Sequence, residues 1–153
     1  MKLSHVDQAG RARMVDVGDK PLMDRTAVAA GAIRMTREAF QQVADQAVTK
    51  GDVLTVSEVA GTLAAKRTGE LIPLCHPLGL DHVEVDASLD ETLPGVRVRA
   101  TVRTVGRTGV EMEALTAVSV ALLTVYDMVK AVDSGMVIVD VQLIEKKKVP
   151  VAG

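Results

Sequence analysis

The spacing of hydrophobic residues changes along the chain, and each change predicts a different element. From about residue 36 to 50, apolar side chains recur at the helical period, and Thr36 can cap the helix that they predict. A second helix is predicted over 53–70, with Asp52 as an available cap. The longest helix is predicted over 112–132, where nearly all residues outside one polar stripe are apolar.

Between the second and the longest helix the hydrophobic period drops to two. Segments 82–89 and 95–106 alternate apolar and polar residues, and the turn DETLPG between them predicts an antiparallel hairpin. A final strand is predicted over 136–146, a short one is considered over 12–17, and 26–35 shows only weak β character. The order β, α, α, β, β, α, β predicts an α+β fold with the helices on one side of an antiparallel sheet.

Chain length and the lack of any linker predict a single domain over 1–153, with 1–10 and 146–153 expected to be flexible. Apolar residues make up 48% of the chain but aromatic residues only 1%, so the core must consist of small aliphatic side chains. So many aliphatic residues in a short chain indicate extra buried surface, and therefore an oligomer.

Charge and cysteine content exclude several classes of protein. The net charge is −2 and the sequence contains no basic, aromatic-rich stretch, which argues against nucleic-acid binding. With one cysteine, no disulfide can form within the chain. No uninterrupted apolar run of membrane-spanning length and no signal peptide is seen, so we expect a soluble, cytoplasmic protein without a membrane partner.

The longest helix carries a polar stripe that allows two interpretations. Its members fall within an arc of roughly 140° of the helix, and they are Glu113, Thr116, Ser119, Thr124, Asp127 and Lys130. Asp127 and Lys130 could form an ordinary solvated i,i+3 pair. The Thr and Ser residues among the charges are more typical of a cavity wall.

Two further segments carry candidate chemistry. Loop 71–79, with sequence LIPLCHPLG, is fixed by two prolines and presents Cys75, readable as a small buried hydrophobe, and His76, a candidate donor or proton carrier. A lone Cys–His pair offers too few ligands for a metal site. Glu111 and Glu113 open the longest helix, where carboxylates are also ordinary dipole partners.

Three segments together resemble the MoaC family of molybdenum cofactor biosynthesis. They are KGDVLTVSEVAGTLAAKRTGELIPLCHPL, TGVEMEALTAVSVALLTVYDMVKAVD and the early MVDV. The resemblance implies a ferredoxin-like fold and a homohexamer, a trimer of dimers, with active sites at a subunit interface. It also implies a lyase that converts 3′,8-cyclo-7,8-dihydro-GTP to cyclic pyranopterin monophosphate with release of diphosphate. No organic cofactor is implied, and a need for Mg²⁺ is left open.

The matching motifs also imply site residues. Asp127 and Lys130 become the catalytic pair. The implied substrate-binding residues are Leu74, Cys75, His76, Met112, Glu113, Lys50, Lys66 and Arg25, with Glu111 as a weaker candidate. From pattern alone, Lys50 is equally readable as a solvated lysine at a helix end.

The chain departs from the family at two places. Its tail reads EKKKVPVAG instead of a glycine-rich run containing Gly-Lys-Ser-Gly, and Met23 stands where a threonine is common. The tail is the argument for an alternative, a catalytically inactive homologue that binds the same nucleotide or a partner protein.

Overall fold

A computed structural model describes residues 3–152 and confirms the α+β fold. Its elements are β1 Met23–Arg34, α1 Arg37–Ala44, α2 Val53–Lys66, α3 Thr68–Leu71, β2 His82–Asp90, β3 Gly95–Gly106, α4 Glu111–Val129 and β4 Val137–Pro150. The four strands form one antiparallel sheet in the order β2-β3-β1-β4. This strand order, with helices in both crossovers, is the ferredoxin-like arrangement.

The central strand β1 is the element with the weakest sequence signal. It pairs with β3 on one edge and β4 on the other, and Ala27, Ala29 and Ile33 are completely buried under the helices. Its small residues allow α4 to approach closely, since a Cβ on Gly31 would lie within 3.0 Å of Leu122 and Val118 on that helix. The alanines that blur the strand pattern are therefore a requirement of helix packing.

The helix starts follow the sequence more closely than the helix ends. Thr36 caps α1 by accepting a hydrogen bond from the Ala39 amide at 3.2 Å, as predicted. The helix ends at Ala44, about six residues earlier than expected, because the chain turns through Gln46 at a positive φ of 54°. Asp52 caps α2, and that helix ends at Lys66, followed by the single turn α3.

The core lies between the sheet and two antiparallel helices, α2 and α4. At their crossing Gly61 lies close to the Ala117 carbonyl oxygen. A larger residue at position 61 would therefore force the helices apart. By length and composition α4 could also cross a membrane, but 56% of its most apolar stretch is buried. That burial is typical of the core helix of a soluble domain.

The two ends of the described chain differ in how much regular secondary structure they contain. Residues 3–22 contain no regular strand, only an isolated bridge between Val6 and Ala12, so the short strand considered over 12–17 is not formed. At the other end, β4 extends four residues beyond the predicted 146 and pairs with β1 as far as Pro150. Flexibility of 146–153 stays a prediction, although much of that segment lies in a hydrogen-bonded strand.

Candidate active site

Asp127 lies between two lysines at the C-terminal end of α4. Its carboxylate oxygens are 2.9 Å from the Nζ of Lys130 and 2.9 Å from the Nζ of Lys50, and Lys50 also donates to the Asp127 carbonyl at 3.2 Å. We call these three residues the Asp127 cluster. Sequence spacing predicts the Lys130 contact, whereas Lys50 reaches the cluster from the loop after α1 and only the family resemblance indicates it.

The charges within the Asp127 cluster favour the ionised forms. Hydrogen bonds from Lys130 and then Lys50 lower the pKa of Asp127, and the hydrogen bond to Asp127 raises the pKa of Lys130. All three side chains are about half exposed in the single chain, at 58% for Asp127, 53% for Lys130 and 50% for Lys50. The cluster therefore offers a carboxylate acceptor and two ammonium donors to anything that covers it.

A cavity of about 430 Å³ lies at the opposite, N-terminal end of α4. Leu74, Cys75 and His76 of the proline-rich loop form one wall, and Met112 of the first turn of α4 forms another. The remaining wall comes from the irregular N-terminal segment, whose Val15 carbonyl contacts the His76 Nε2. We call this space the α4 cavity, and its size suits a small-molecule ligand.

Cys75, which lines this cavity, has Glu113 as a neighbour. The Cys75 Sγ is half-buried and lies 3.9 Å from a Glu113 carboxylate oxygen. Burial, followed by the charge of Glu113, raises the pKa of the Cys75 thiol to about 11. Cys75 can therefore contact a ligand, but it is a poor nucleophile near neutral pH.

Glu113 is the most deeply buried carboxyl group among residues 3–152. Glu113 is only 3% exposed, and its Oε2 atom has no hydrogen-bond partner. Loss of hydration raises the pKa of Glu113 to about 7, so both protonation states are available near neutrality. The dipole-partner interpretation does not account for a buried, unpaired carboxylate oxygen next to Cys75.

The two remaining predicted residues lie in different surroundings. Arg25 of β1 is 8% exposed and donates hydrogen bonds to the carbonyls of Gly106 and Arg107 near the start of α4. Lys66, in the last turn of α2, lines a separate groove beside the start of β2. No cluster of three or more His, Cys, Asp or Glu residues suited to a metal ion occurs within residues 3–152.

Apart from Lys66, the predicted site residues form two groups at opposite ends of one helix. Leu74, Cys75, His76, Met112, Glu113 and Arg25 gather around the N-terminal end of α4, whereas Lys50, Asp127 and Lys130 lie at its C-terminal end. Fourteen residues of α4 separate Glu113 from Asp127, which is roughly 21 Å along the helix. A small ligand in the α4 cavity cannot reach the Asp127 cluster of the same chain.

The ferredoxin-like fold thus carries a buried titratable carboxyl, a ligand-sized cavity and a carboxylate–lysine cluster, groups of the kind that acid–base enzymes use. Comparison with known proteins gives the family. The MoaC family model matches residues 14–149, and the chain belongs to the MoaC family.

Three relatives share more than half of their aligned residues with the chain. A protein of Thermomicrobium roseum is 59% identical over 145 residues, covering 95% of this chain and 87% of the relative. A Roseiflexus protein is 58% identical over 144 residues (94% and 91% covered), and a Cereibacter sphaeroides protein is 56% identical over 145 residues (95% and 91% covered). All three are named cyclic pyranopterin monophosphate synthase.

Proposed function

We propose that this protein is a cyclic pyranopterin monophosphate synthase acting in molybdenum cofactor biosynthesis. It converts 3′,8-cyclo-7,8-dihydro-GTP to cyclic pyranopterin monophosphate and releases diphosphate. The observation that carries the proposal is the Asp127 cluster, in which the motif residues Asp127 and Lys130 contact each other and the family lysine Lys50. Family membership and the shared name of the relatives support it.

The reaction requires proton transfers that the Asp127 cluster can perform. Opening the purine ring and forming the pterin moves protons between nitrogen, carbon and oxygen atoms without net oxidation. A carboxylate that accepts a proton next to ammonium groups that donate one suits such a sequence of steps. Because the conversion is redox-neutral, the proposal includes no organic cofactor.

The second part of the reaction builds a cyclic phosphate. A hydroxyl oxygen of the substrate attacks the α-phosphorus, the bond from that phosphorus to the bridging oxygen breaks, and the diphosphate leaves with the electron pair. Cations stabilise the charge that develops on the leaving group. The family lysines Lys50 and Lys66, together with Arg25 and His76, are the residues that we assign to the phosphates.

We propose that the two groups of site residues meet between subunits, because a single chain holds them at opposite ends of α4. A site that contains both the α4 cavity and the Asp127 cluster forms if one protomer provides the first and its partner the second. Exposed apolar residues on three elements support association, with Val59 of α2 at 54% exposed, Leu123 of α4 at 57% and Ile144 of β4 at 47%. We propose a cytoplasmic homohexamer, a trimer of dimers, whose active sites lie between subunits.

Turnover of the cyclised GTP intermediate by the purified protein tests the function. Pyranopterin is detected by fluorescence after oxidation, and released diphosphate by a coupled assay, with Lys130→Ala as the matched variant. We expect both products from the native chain and a large loss in the variant. Binding of the intermediate without turnover would instead identify an inactive homologue and would implicate the altered tail.

A further inference from the structure

The turn between α4 and β4, residues 130–136, begins with Lys130 of the Asp127 cluster. We call it the α4–β4 turn. It contains two exposed residues, Ser134 and Gly135, and glycine loses more conformational freedom on folding than any other residue. The last carbonyl groups of a helix have no partner within it, and helix ends fray. A fixed position of Lys130 therefore depends on contacts that this turn makes with side chains.

Tyr126 ties the α4–β4 turn back onto α4. Its hydroxyl donates to the Ser134 carbonyl oxygen at 2.6 Å. Tyr126 and Lys130 are four positions apart on one helix, so their side chains lie on the same side of it. The Lys130 amide also donates to the Tyr126 carbonyl at 2.9 Å. Tyr126 therefore holds the chain both at Lys130 and four residues beyond it.

Asp133 anchors the same turn to α1. One of its carboxylate oxygens accepts a hydrogen bond from the Gly135 amide at 2.9 Å, and the other accepts from the Thr36 amide, also at 2.9 Å. Thr36 is the N-cap of α1, so this contact joins the start of α1 to the end of α4. Lys50, the second lysine that contacts Asp127, lies in the loop after α1. Asp133 therefore links the two segments that provide the lysines of the cluster.

Tyr126 and Asp133 act on the cluster from outside it. Their side-chain hydrogen bonds end on backbone groups, whereas the Asp127 carboxylate is bonded by the two lysines. Groups that bind only the backbone of a turn determine where that turn lies. A displacement of about 1 Å in a reacting group can lower a rate about 10²-fold.

We propose that Tyr126 and Asp133 are positioning residues, which hold the α4–β4 turn so that the Lys130 ammonium stays in contact with the Asp127 carboxylate. The consequence for catalysis rests on the proposed function, whereas the contact itself does not. Loss of either residue should slow the proton transfers and so lower kcat. It should leave KM nearly unchanged, because neither side chain is assigned to the substrate.

Competitive acetylation with acetic anhydride, followed by mass spectrometry, measures the environment of Lys130 without any need for turnover. Only the neutral amine reacts, and the hydrogen bond to Asp127 raises the pKa of Lys130 and so slows the reaction. The test variants are Tyr126→Phe, which removes one hydroxyl, and Asp133→Ala, which leaves the phenol in place. We expect both to acetylate Lys130 about threefold faster than the native chain, with Lys20 as the internal reference.

Turnover of the cyclised GTP intermediate by the same variants tests the role in catalysis. We expect kcat to fall about tenfold or more in Tyr126→Phe and Asp133→Ala, with KM changed less than about twofold. Asp133→Asn keeps one side-chain oxygen as an acceptor and should recover part of the loss. The matched control is Ser57→Ala, which removes a buried hydroxyl that donates to the Leu54 carbonyl at 2.8 Å in α2. It should lower stability without changing kcat or the acetylation of Lys130.

Unchanged acetylation of Lys130, or full kcat, in one of the two variants would remove the positioning role of that residue. An equal loss of kcat in Ser57→Ala would remove it for both, since lower stability would then explain the result. The proposed function fails separately, if the native chain does not turn over the intermediate. Faster acetylation in the variants would in that case still assign Tyr126 and Asp133 to the position of Lys130.

Discussion

At the residue scale, the buried carboxyl of Glu113 makes the stability of the fold depend on pH. Its carboxyl has a pKa of about 7 in the folded chain, against an ordinary value of 4.5. The folded state therefore binds this proton more tightly than the unfolded state does. The contribution of Glu113 to stability is complete below about pH 4.5 and is lost as the pH rises through 7.

We expect Glu113→Gln to reduce this loss. Between pH 5 and pH 8, the free energy of unfolding of the native chain should fall by on the order of 2–3 kcal/mol more than that of the variant. Urea unfolding at several pH values measures the difference, and Glu91→Gln in the exposed β2–β3 turn serves as the control. Parallel pH profiles for native protein and Glu113→Gln would show that Glu113 is not protonated preferentially in the folded chain.

Lys130 should affect activity without affecting folding. Its side chain is 53% exposed, and Asp127 retains Lys50 as a partner when Lys130 is removed. If Lys130 transfers a proton, Lys130→Ala should lower kcat by about 10²–10⁴-fold. Thermal unfolding should change little, because exposed ion pairs contribute up to about 1 kcal/mol.

Lys130→Arg is the informative companion, because it keeps the positive charge but cannot release a proton easily. Recovery of kcat in Lys130→Arg would assign Lys130 a purely electrostatic role. Full turnover by Lys130→Ala would remove it from the mechanism.

The candidate site was only partly predictable from individual residues. The i,i+3 relation of Asp127 and Lys130 is a consequence of the helical period and could be derived directly. The contact of Lys50 with Asp127 joins residues 77 positions apart, and no local pattern reports it. The burial of Glu113 is equally invisible in the sequence, because it depends on the loop that carries Cys75 folding over the first turn of α4.

At the element scale, Gly61 shows how the crossing of α2 and α4 is fixed. A Cβ at this position would lie 2.8 Å from the Ala117 carbonyl oxygen, a backbone atom that cannot rotate away. Helix propensity alone favours alanine over glycine by about 1 kcal/mol. We expect the steric conflict to dominate, so Gly61→Ala should destabilise the protein by about 1–3 kcal/mol.

Chemical denaturation of Gly61→Ala measures this effect. Lys66→Ala, at an exposed polar position in the last turn of the same helix, controls for changes in the helix itself and should alter stability only slightly. A more stable Gly61→Ala protein would mean that the helices can move apart at no cost in free energy, and that the higher helix propensity of alanine determines the stability of the variant.

Element types were more predictable than element ends. The hairpin of β2 and β3 follows directly from alternation, and its predicted bounds differ from the observed ones by at most one residue. The twelve residues of β1 were ambiguous because Ala and Gly fit beneath α4 and satisfy either period. The extension of β4 depends on its pairing with β1. This is a long-range contact, and the charged EKKK segment has no local pattern that predicts it.

At the scale of the whole molecule, α4 separates the α4 cavity from the Asp127 cluster. Roughly 21 Å of helix separates Glu113 from Asp127, and no rotation of side chains closes that distance. If both belong to one active site, they must come from neighbouring protomers, and the proposed two-fold contact would create two such sites in each dimer. The same arrangement would bury the exposed apolar residues of α2 and α4.

Subunit mixing distinguishes this arrangement from a site within one chain. His76→Ala removes a side chain that lines the α4 cavity, and Lys130→Ala removes a member of the Asp127 cluster. In a mixed dimer of these variants, one site carries both lesions and the other carries none. Equal mixing should restore about a quarter of native activity, because half of the random dimers are mixed and each has one intact site.

Co-expression at equal levels, assayed without selection for mixed oligomers, yields the random mixture, and two different affinity tags measure the fraction that is mixed. Each variant co-expressed with itself is the control and should remain inactive. If every site lay within a single chain, each would carry one lesion, and mixing would restore nothing. Recovery would assign the α4 cavity and the Asp127 cluster to opposite sides of one interface, with each protomer contributing to two active sites.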